Sequence, residues 1–257
     1  MTTPALIDTH AHLGDPVFDA DRPAVLQRAR EAGVGGIVTV GETLEDAERN
    51  LRLAEEHREI LPAAGLYPTH LDLDQAERME TLIRESRERL VAIGEVGLDH
   101  WKVKEPSERE LQTEIFTRFI RLSQEIDLPL NIHSRSAGRH VVALLLDEGA
   151  RRVQLHAFDG RPASALPAVE AGYYFSIPPS VVRSRQKQKL VRRLPLSCLL
   201  LETDSPVLSA TPGERNEPAE VLVSLRAIAE LKELTEEQVA EAVAENTRRL
   251  YGDLQFD

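Results

Sequence analysis

Short apolar and β-branched runs alternate along the chain with longer charged segments of helical period. The runs are Ala5–His10, Gly36–Val40, Leu61–Leu66, Val91–Gly97, Pro129–His133, Val153–Phe158, Tyr173–Ile177 and Cys198–Thr203. Between them lie amphipathic stretches, of which Pro106–Asp127 is the clearest. It carries Ser107-Glu108-Arg109-Glu110, the pattern of a capping box, and places Leu111, Ile115, Phe119, Leu122 and Ile126 on one stripe. A second capping box, Thr235-Glu236-Glu237-Gln238, opens a closing helix that runs toward Leu250. Strands alternating with helices imply parallel pairing through right-handed crossovers. Eight such units are the number that closes a (β/α)8 TIM barrel, so the predicted class is α/β with that architecture. An open doubly wound sheet is the rival, but it usually has fewer strands and a Gly-rich phosphate turn after the first. Here the first run ends in Asp8-Thr9-His10-Ala11-His12. With no linker, repeat or low-complexity tract in view, residues 1–257 are predicted to form one domain, both termini outside the barrel.

The length of 257 residues suits such a barrel, and 42% hydrophobic with 29% charged residues is ordinary for a globular enzyme. A single cysteine, Cys198, excludes an internal disulfide and thiolate-rich zinc motifs, and fits a reducing compartment. The start Met1-Thr2-Thr3-Pro4-Ala5-Leu6-Ile7-Asp8 has no basic region leading into a long apolar one, so no signal peptide is expected. Apolar runs such as Val141–Leu146 are too short to cross a bilayer. The expected location is the cytoplasm, with no membrane association and no obligate protein partner. Net charge is −12. That argues against tight nonspecific binding to duplex, yet a site needs only a local positive patch.

Nearly every candidate metal ligand falls at the C-terminal end of a predicted strand. His10 and His12 end the first, Glu95 is on the fourth, His133 ends the fifth, His156 is on the sixth and Asp204 follows the eighth. A parallel barrel brings all those ends to one face. Residues two apart on a strand point the same way, so His10 and His12 can reach one ion together. A lone histidine on an apolar strand is usually a core residue; the coincidence of placements points to a metal centre. Imidazole and carboxylate without thiolate suit Zn, Mn, Fe or Ni, with Mg at a more oxygen-rich position. The set is too large for one catalytic ion with an open position, so two are expected. Glu95 can bridge them, with His10, His12 and Asp204 toward one and His133 and His156 toward the other. Such a pair, about 3.5–4 Å apart, lowers the pKa of a bound water toward ~7. Asp204 can then take the proton. Glu202 can hold a third ion, orient a ligand or contact substrate, with an internal barrel carboxylate as the alternative, and Asp8 is expected to orient a histidine from behind.

Arg135 follows His133 by two and should project beside the ions. Arg215, in Arg215-Asn216-Glu217-Pro218 after the last strand, is a candidate phosphate contact, with a surface ion pair as the alternative. His70 and His100 follow strands on the active face, whereas His57 and His140 fall inside predicted helices. Arg183, Arg185, Lys187, Lys189, Arg192 and Arg193 cluster on the predicted seventh helix. They read as a solvated helix face, with contact to a nucleic-acid backbone as the alternative. Tyr173, Tyr174 and Phe175 read as packing, with stacking surfaces for bases as the alternative.

Asp8-Thr9-His10-Ala11-His12-Leu13, Gly94-Glu95-Val96-Gly97-Leu98-Asp99, His133-Ser134-Arg135 and Leu201-Glu202-Thr203-Asp204-Ser205-Pro206 together resemble the ordered signature of TatD-type deoxyribonucleases. Arg215-Asn216-Glu217-Pro218 and Asn246-Thr247-Arg248-Arg249-Leu250 match it too. The likeness spans essentially the whole chain. His156-Ala157-Phe158-Asp159-Gly160 and Gly172–Ser180 resemble one branch, that of the third TatD-domain paralogue of vertebrates. The resemblance implies an amidohydrolase-like barrel that cleaves DNA phosphodiesters with divalent metals, from the 3′ end or at abasic sites, on single-stranded, nicked or abasic substrate. It assigns the metal ligands to His10, His12, Glu95, His133, His156 and Asp204. Many members have His before the Pro of a third-strand G-x-H-P motif. This chain has Tyr67, whose phenol can serve as a neutral donor to substrate. The sixth strand reads His156-Ala157-Phe158-Asp159-Gly160 where H-C-F-S-G is commoner.

Three rival functions fit the same barrel. A hydrolase of cyclic amides, lactones or phosphotriesters often bridges its metals with a carboxylated lysine at strand four, where this chain has Glu95. A small-molecule phosphatase suits the acidic charge. A barrel that binds without turnover would not need a complete ligand set with a general base.

Overall fold

The computed structural model describes residues 5–254. The outermost ends of the expected domain, most of the N-terminal segment read for a signal peptide, and the termini placed outside the barrel lie beyond that range. Eight parallel strands follow one another in chain order: β1 (Leu6–Ala11), β2 (Val34–Thr39), β3 (Ile60–Ala64), β4 (Ala92–Gly97), β5 (Leu130–His133), β6 (Val153–Leu155), β7 (Tyr174–Ile177) and β8 (Leu199–Leu201). Between and after them run α1 (Arg22–Glu31), α2 (Leu44–Glu56), α3 (Leu73–Glu85), α4 (Pro106–Ile126), α5 (Gly138–Asp147), α6 (Pro162–Glu170), α7 (Arg185–Arg193), α8 (Val221–Lys232) and α9 (Glu236–Tyr251). The chain is therefore a (β/α)8 barrel. Its seam lies between β8 and β1. There Asp204 N–H donates to the His10 carbonyl and His12 N–H to the Ser205 carbonyl, both at 2.8 Å.

Strict alternation along the strands sorts side chains to two sides. Leu130 and Ile132, Val153 and Leu155, Phe175 and Ile177 pack into the main core with Phe116, Phe119 and Ile120 of α4. Inside the barrel a smaller cluster of Val38, Leu61, Ala63, Ala92, Leu200 and Tyr251 carries the end of α9 against the sheet. β4 breaks the alternation. Its register with β5 shifts between Ile93 and Val96, so Ala92 and Glu95, three apart, both face inward. Gly94 allows the close approach: a Cβ there would fall 2.7 Å from the Asn131 Cβ.

Local structure departs from the sequence reading in three places. The capping box at Ser107 is absent: Glu105 is the N-cap without a side-chain bond and Pro106 opens α4, its fixed φ and missing N–H suiting that position. The box at Thr235 forms, with Thr235 accepting from Gln238 N–H at 3.2 Å. His57 caps the C-terminus of α2 rather than lying within it. Finally, His12, His156 and Glu202 stand just past their strands, while Asp204 follows β8 as expected. Ala157 and Asp204 adopt left-handed φ of 41° and 57°, which takes the backbone off the ladder at these points.

Candidate metal centre

The C-terminal mouth of the barrel holds a cavity of about 460 Å³ lined by His12, Tyr67, Glu95, His133, Arg135, His156, Lys187 and Asp204, among others. Glu95 lies at its centre and is almost fully buried. Its Oε2 faces His10 Nε2 at 3.7 Å and His12 Nε2 at 3.5 Å, while its Oε1 faces His133 Nδ1 at 2.6 Å and His156 Nε2 at 2.8 Å. Asp204 Oδ1 stands 3.5 Å from His10 Nε2 and 3.3 Å from His12 Nε2. The donors thus divide into His10, His12 and Asp204 on one side of Glu95 and His133 and His156 on the other. The His10 and His156 rings stack in parallel with centroids 3.8 Å apart.

The buried carboxylates favour positive charge around them, carried by protonated imidazoles or by bound cations. Burial alone would push His10 down, but its contact with Asp204 and the charges of Glu95, Asp204 and Glu202 outweigh it and raise its pKa to about 10. Burial likewise opposes His133, which Glu95 and Asp99 hold up at about 9. Burial together with the neighbouring His10 lowers His156 to about 4. Glu95 and Asp204 stay well below the ordinary carboxylate range despite burial, because imidazoles surround them. Two imidazole nitrogens, His10 Nε2 and His12 Nε2, approach to 3.3 Å, and so do His133 Nδ1 and His156 Nε2. Lone pairs that close repel unless a proton or metal ion lies between them, so the donor set fits divalent ions.

A second ring of side chains, which sequence reasoning missed, orients these groups. Asn131 Nδ2 donates to the Thr9 carbonyl at 2.9 Å, which turns its Oδ1 toward His10 Nδ1 at 2.8 Å. Asp99 Oδ2 accepts from His133 Nε2 at 3.1 Å, and its Oδ1 is fixed by the backbone N–H groups of Trp101 and Lys102. Asp8 does not fill the orienting role expected of it. It sits in the seam, accepting from Thr203 N–H and Oγ1 at 2.9 and 2.5 Å and from His10 N–H at 3.3 Å, and touches no imidazole. Glu202 accepts from Ala157 N–H at 2.8 Å and Ser176 Oγ at 2.5 Å; its Oε2 stands 3.9 Å from His156 Nδ1.

The remaining candidates separate by location. Arg135 lines the cavity, its guanidinium carbon over the Trp101 ring at 3.9 Å from the centroid. Tyr67 also lines it and donates to Asp99 at 3.4 Å. Arg215 lies elsewhere. It makes a two-pronged pair with Asp21 at 2.8 and 2.6 Å and covers Phe18, while Glu217 does the same with Arg28. These contacts tie the loop after β8 to α1. His100 packs against His140, and neither it nor His70 lines the cavity. The basic cluster is divided: Arg185, Lys189, Arg192 and Arg193 are exposed, but Lys187 is buried and lines the cavity. Tyr173 and Phe175 are core residues.

Residues 7–252 match the family model of TatD-related DNases. The chain belongs to that family. It is 42% identical to human "Deoxyribonuclease TATDN3", with 97% of this chain and 95% of that protein covered. It is 37% identical to "Uncharacterized metal-dependent hydrolase YabD" of Bacillus subtilis, covering 96% of this chain and 98% of the other. Among solved structures, the TatD homologue YJJV of Escherichia coli superposes with a TM-score of 0.90 at 29% identity, covering 98% of this chain and all of that one. The vertebrate branch suggested by the sixth and seventh strands is thus represented among its relatives.

Proposed function

We propose that this TatD-family chain hydrolyses phosphodiester bonds in DNA with two divalent ions. His10, His12 and Asp204 would hold one ion and His133 and His156 the other, with the Glu95 carboxylate available to both. The observation that carries this reading is Glu95, whose two oxygens each face their own pair of imidazoles. Zn, Mn or Mg would activate a water and neutralise charge growing on the phosphoryl oxygens. A third donor set exists in His10, His156 and Glu202. Both Glu202 oxygens are already hydrogen-bonded, however, so two is the proposed number.

The protein's own groups have distinct roles in this scheme. Asp204 lies beside the His10–His12 pocket and takes the proton of the attacking water. Arg135, packed over Trp101, offers a planar fork to two phosphate oxygens. Burial and the Glu95 and Asp99 charges raise the pKa of Tyr67 far above its usual range, so its phenol stays protonated and can donate. Glu202 fixes the loop that carries His156. A cavity of about 460 Å³ lies within the ~300–1,000 Å³ of small-ligand sites and suits one nucleotide unit rather than a duplex. That favours a strand end or an abasic position, in single-stranded or nicked DNA. No helix of the described residues is long and apolar enough to cross a membrane. The lone buried Cys198 fits a reducing, cytoplasmic setting, and no protein partner is required by this scheme.

The test combines metal analysis with cleavage of labelled single strands, duplexes and abasic duplexes. Chelation should abolish cleavage and two equivalents of metal should restore it. Full activity after complete metal removal would overturn the reading.

A further inference from the structure

Lys187 stands at the third position of α7, among exposed cations, yet it belongs to the helix's inward stripe with Leu190 and Val191. Only 8% of it is exposed, and it lines the cavity that holds Glu95. Lysine is almost never buried without a partner, because a desolvated ammonium is costly unless an anion or several acceptors face it. Here the ammonium has one hydrogen bond, to the Ala157 carbonyl at 2.7 Å, and no ion pair among the described residues.

The carboxylates whose charge reaches it are Glu202, Asp204 and Asp159, and each is engaged elsewhere. Glu202 is held by Ala157 N–H and Ser176, Asp204 faces His10 and His12, and Asp159 accepts from Ser136 N–H at 2.9 Å. An ammonium has three donors, so two are left over. The apolar neighbours on the helix offer them nothing. The opening beside Glu95 does offer room for an anion.

We propose that Lys187 is a substrate-anchoring residue, its ammonium fixed by the Ala157 carbonyl and donating to an anionic oxygen of the phosphodiester bound beside Glu95. This rests on the hydrolase reading for the location of the phosphate. Arg135 is the other non-imidazole cation lining the cavity, so the two together would grip the charged backbone. Such an anchor reconciles a phosphodiester substrate with a net charge of −12: the positive charge is local and inside the cavity.

Lys187→Gln keeps a donor for Ala157 but has no charge; Lys187→Arg keeps the charge. With metal at saturation, both variants and the parent are titrated with inorganic phosphate by calorimetry. They are also titrated with a labelled phosphorothioate hexathymidylate by anisotropy over a range of salt. The Gln variant should bind both probes about tenfold more weakly, the loss of one charged hydrogen bond. Its salt slope for the strand should flatten by about 0.7, the value of one phosphate contact on a single strand. The Arg variant should retain most of the affinity, and Lys189→Gln, an exposed neighbour, should behave as the parent. A residue that merely propped the His156 loop would not move the salt slope. Parent-like phosphate affinity and slope in Lys187→Gln would overturn the anchor, as would loss of metal from both variants. Cleavage of DNA by the parent is scored separately. A parent that binds phosphate through Lys187 but leaves DNA intact rejects the DNA reading alone. Cleavage unimpaired in Lys187→Gln rejects the anchor alone.

Discussion

Asn131 fixes the proton on His10. The Asn131 amide N–H points at the Thr9 carbonyl, so its oxygen, 2.8 Å from Nδ1, must accept from that ring nitrogen. Nε2 is left facing Glu95, His12 and Asp204, the nitrogen that would give its lone pair to an ion displacing its proton. Partners of this kind set the tautomer and typically contribute about 10–100-fold to metal affinity. Asn131→Leu should therefore weaken metal binding at the proposed His10 site by about that factor, read by chelator competition. Asn131→Asp, which keeps the acceptor, should be milder. Equal metal affinity in Asn131→Leu and the parent would remove this role.

Glu95 is the more severe case. Its carboxylate stands between the two pairs of imidazoles, so Glu95→Ala removes the negative charge both ions would share. One or both ions should be lost, and activity should fall by well over the ~100-fold ceiling of outer-shell changes. Metal analysis and turnover on the same preparation check this. Full occupancy with undiminished turnover would reject the bridge.

The barrel and the convergence of the candidate ligands at its mouth were legible because both depend on strand period and strand ends. Inward parity along β5 and β6 marks His133 with Asn131, and His156 with Gln154, each pair two residues apart. The polar member of each pair was available to the same argument, since a polar residue on the inner face of an apolar strand needs a partner there. Gln154 donates to the Thr9 carbonyl and Ser176 Oγ, and Tyr251 reaches both Gln154 and Asn131 from the last helix. That last contact joins distant parts of the chain, and no local pattern encodes it. The fate of Asp8 was hidden for a similar reason: whether a carboxylate serves a histidine or a seam depends on how β8 meets β1. Lys187 was masked by its neighbours. Composition groups it with Arg185 and Lys189, whereas spacing to Leu190 and Val191 puts it on the buried stripe.

Arg215 and Asn216 are adjacent but should behave differently. Arg215 makes a half-exposed pair with Asp21, away from the cavity, and such pairs carry little. Arg215→Ala should leave kcat/KM for DNA within about twofold of the parent, and Tm nearly unchanged. Asn216 is fully buried and donates to the carbonyls of Thr203 at 2.7 Å and Val207 at 2.8 Å, bracketing Asp204. Asn216→Ala should cost about 1–3 kcal/mol in unfolding experiments, because it strands buried carbonyls. It should also lower kcat through displacement of Asp204. A large loss of kcat/KM in Arg215→Ala with an unchanged Tm would instead return Arg215 to the substrate.

Cys198 gives a prediction independent of the metals. Burial raises its thiol from the ordinary 9.0 to about 12, against a weaker opposing pull from Lys232, and its S–H donates to the Pro195 carbonyl at 3.2 Å. The thiolate is the reactive form, so the native protein at pH 8 should react with a disulfide reagent only through opening of the fold. Labelling should be slow in buffer and fast in denaturant. The folded pKa lies above the unfolded one, so the unfolded chain releases its proton first as pH rises. Cys198 thus leaves stability unchanged below pH 9 and subtracts from it progressively between 9 and about 12. Cys198→Ala removes that alkaline loss while leaving a small cavity in the core. Relative to the parent, its stability deficit at neutral pH should shrink as pH climbs past 9. A deficit that stays constant, or rapid labelling of the native protein at pH 8, would contradict the buried, neutral thiol.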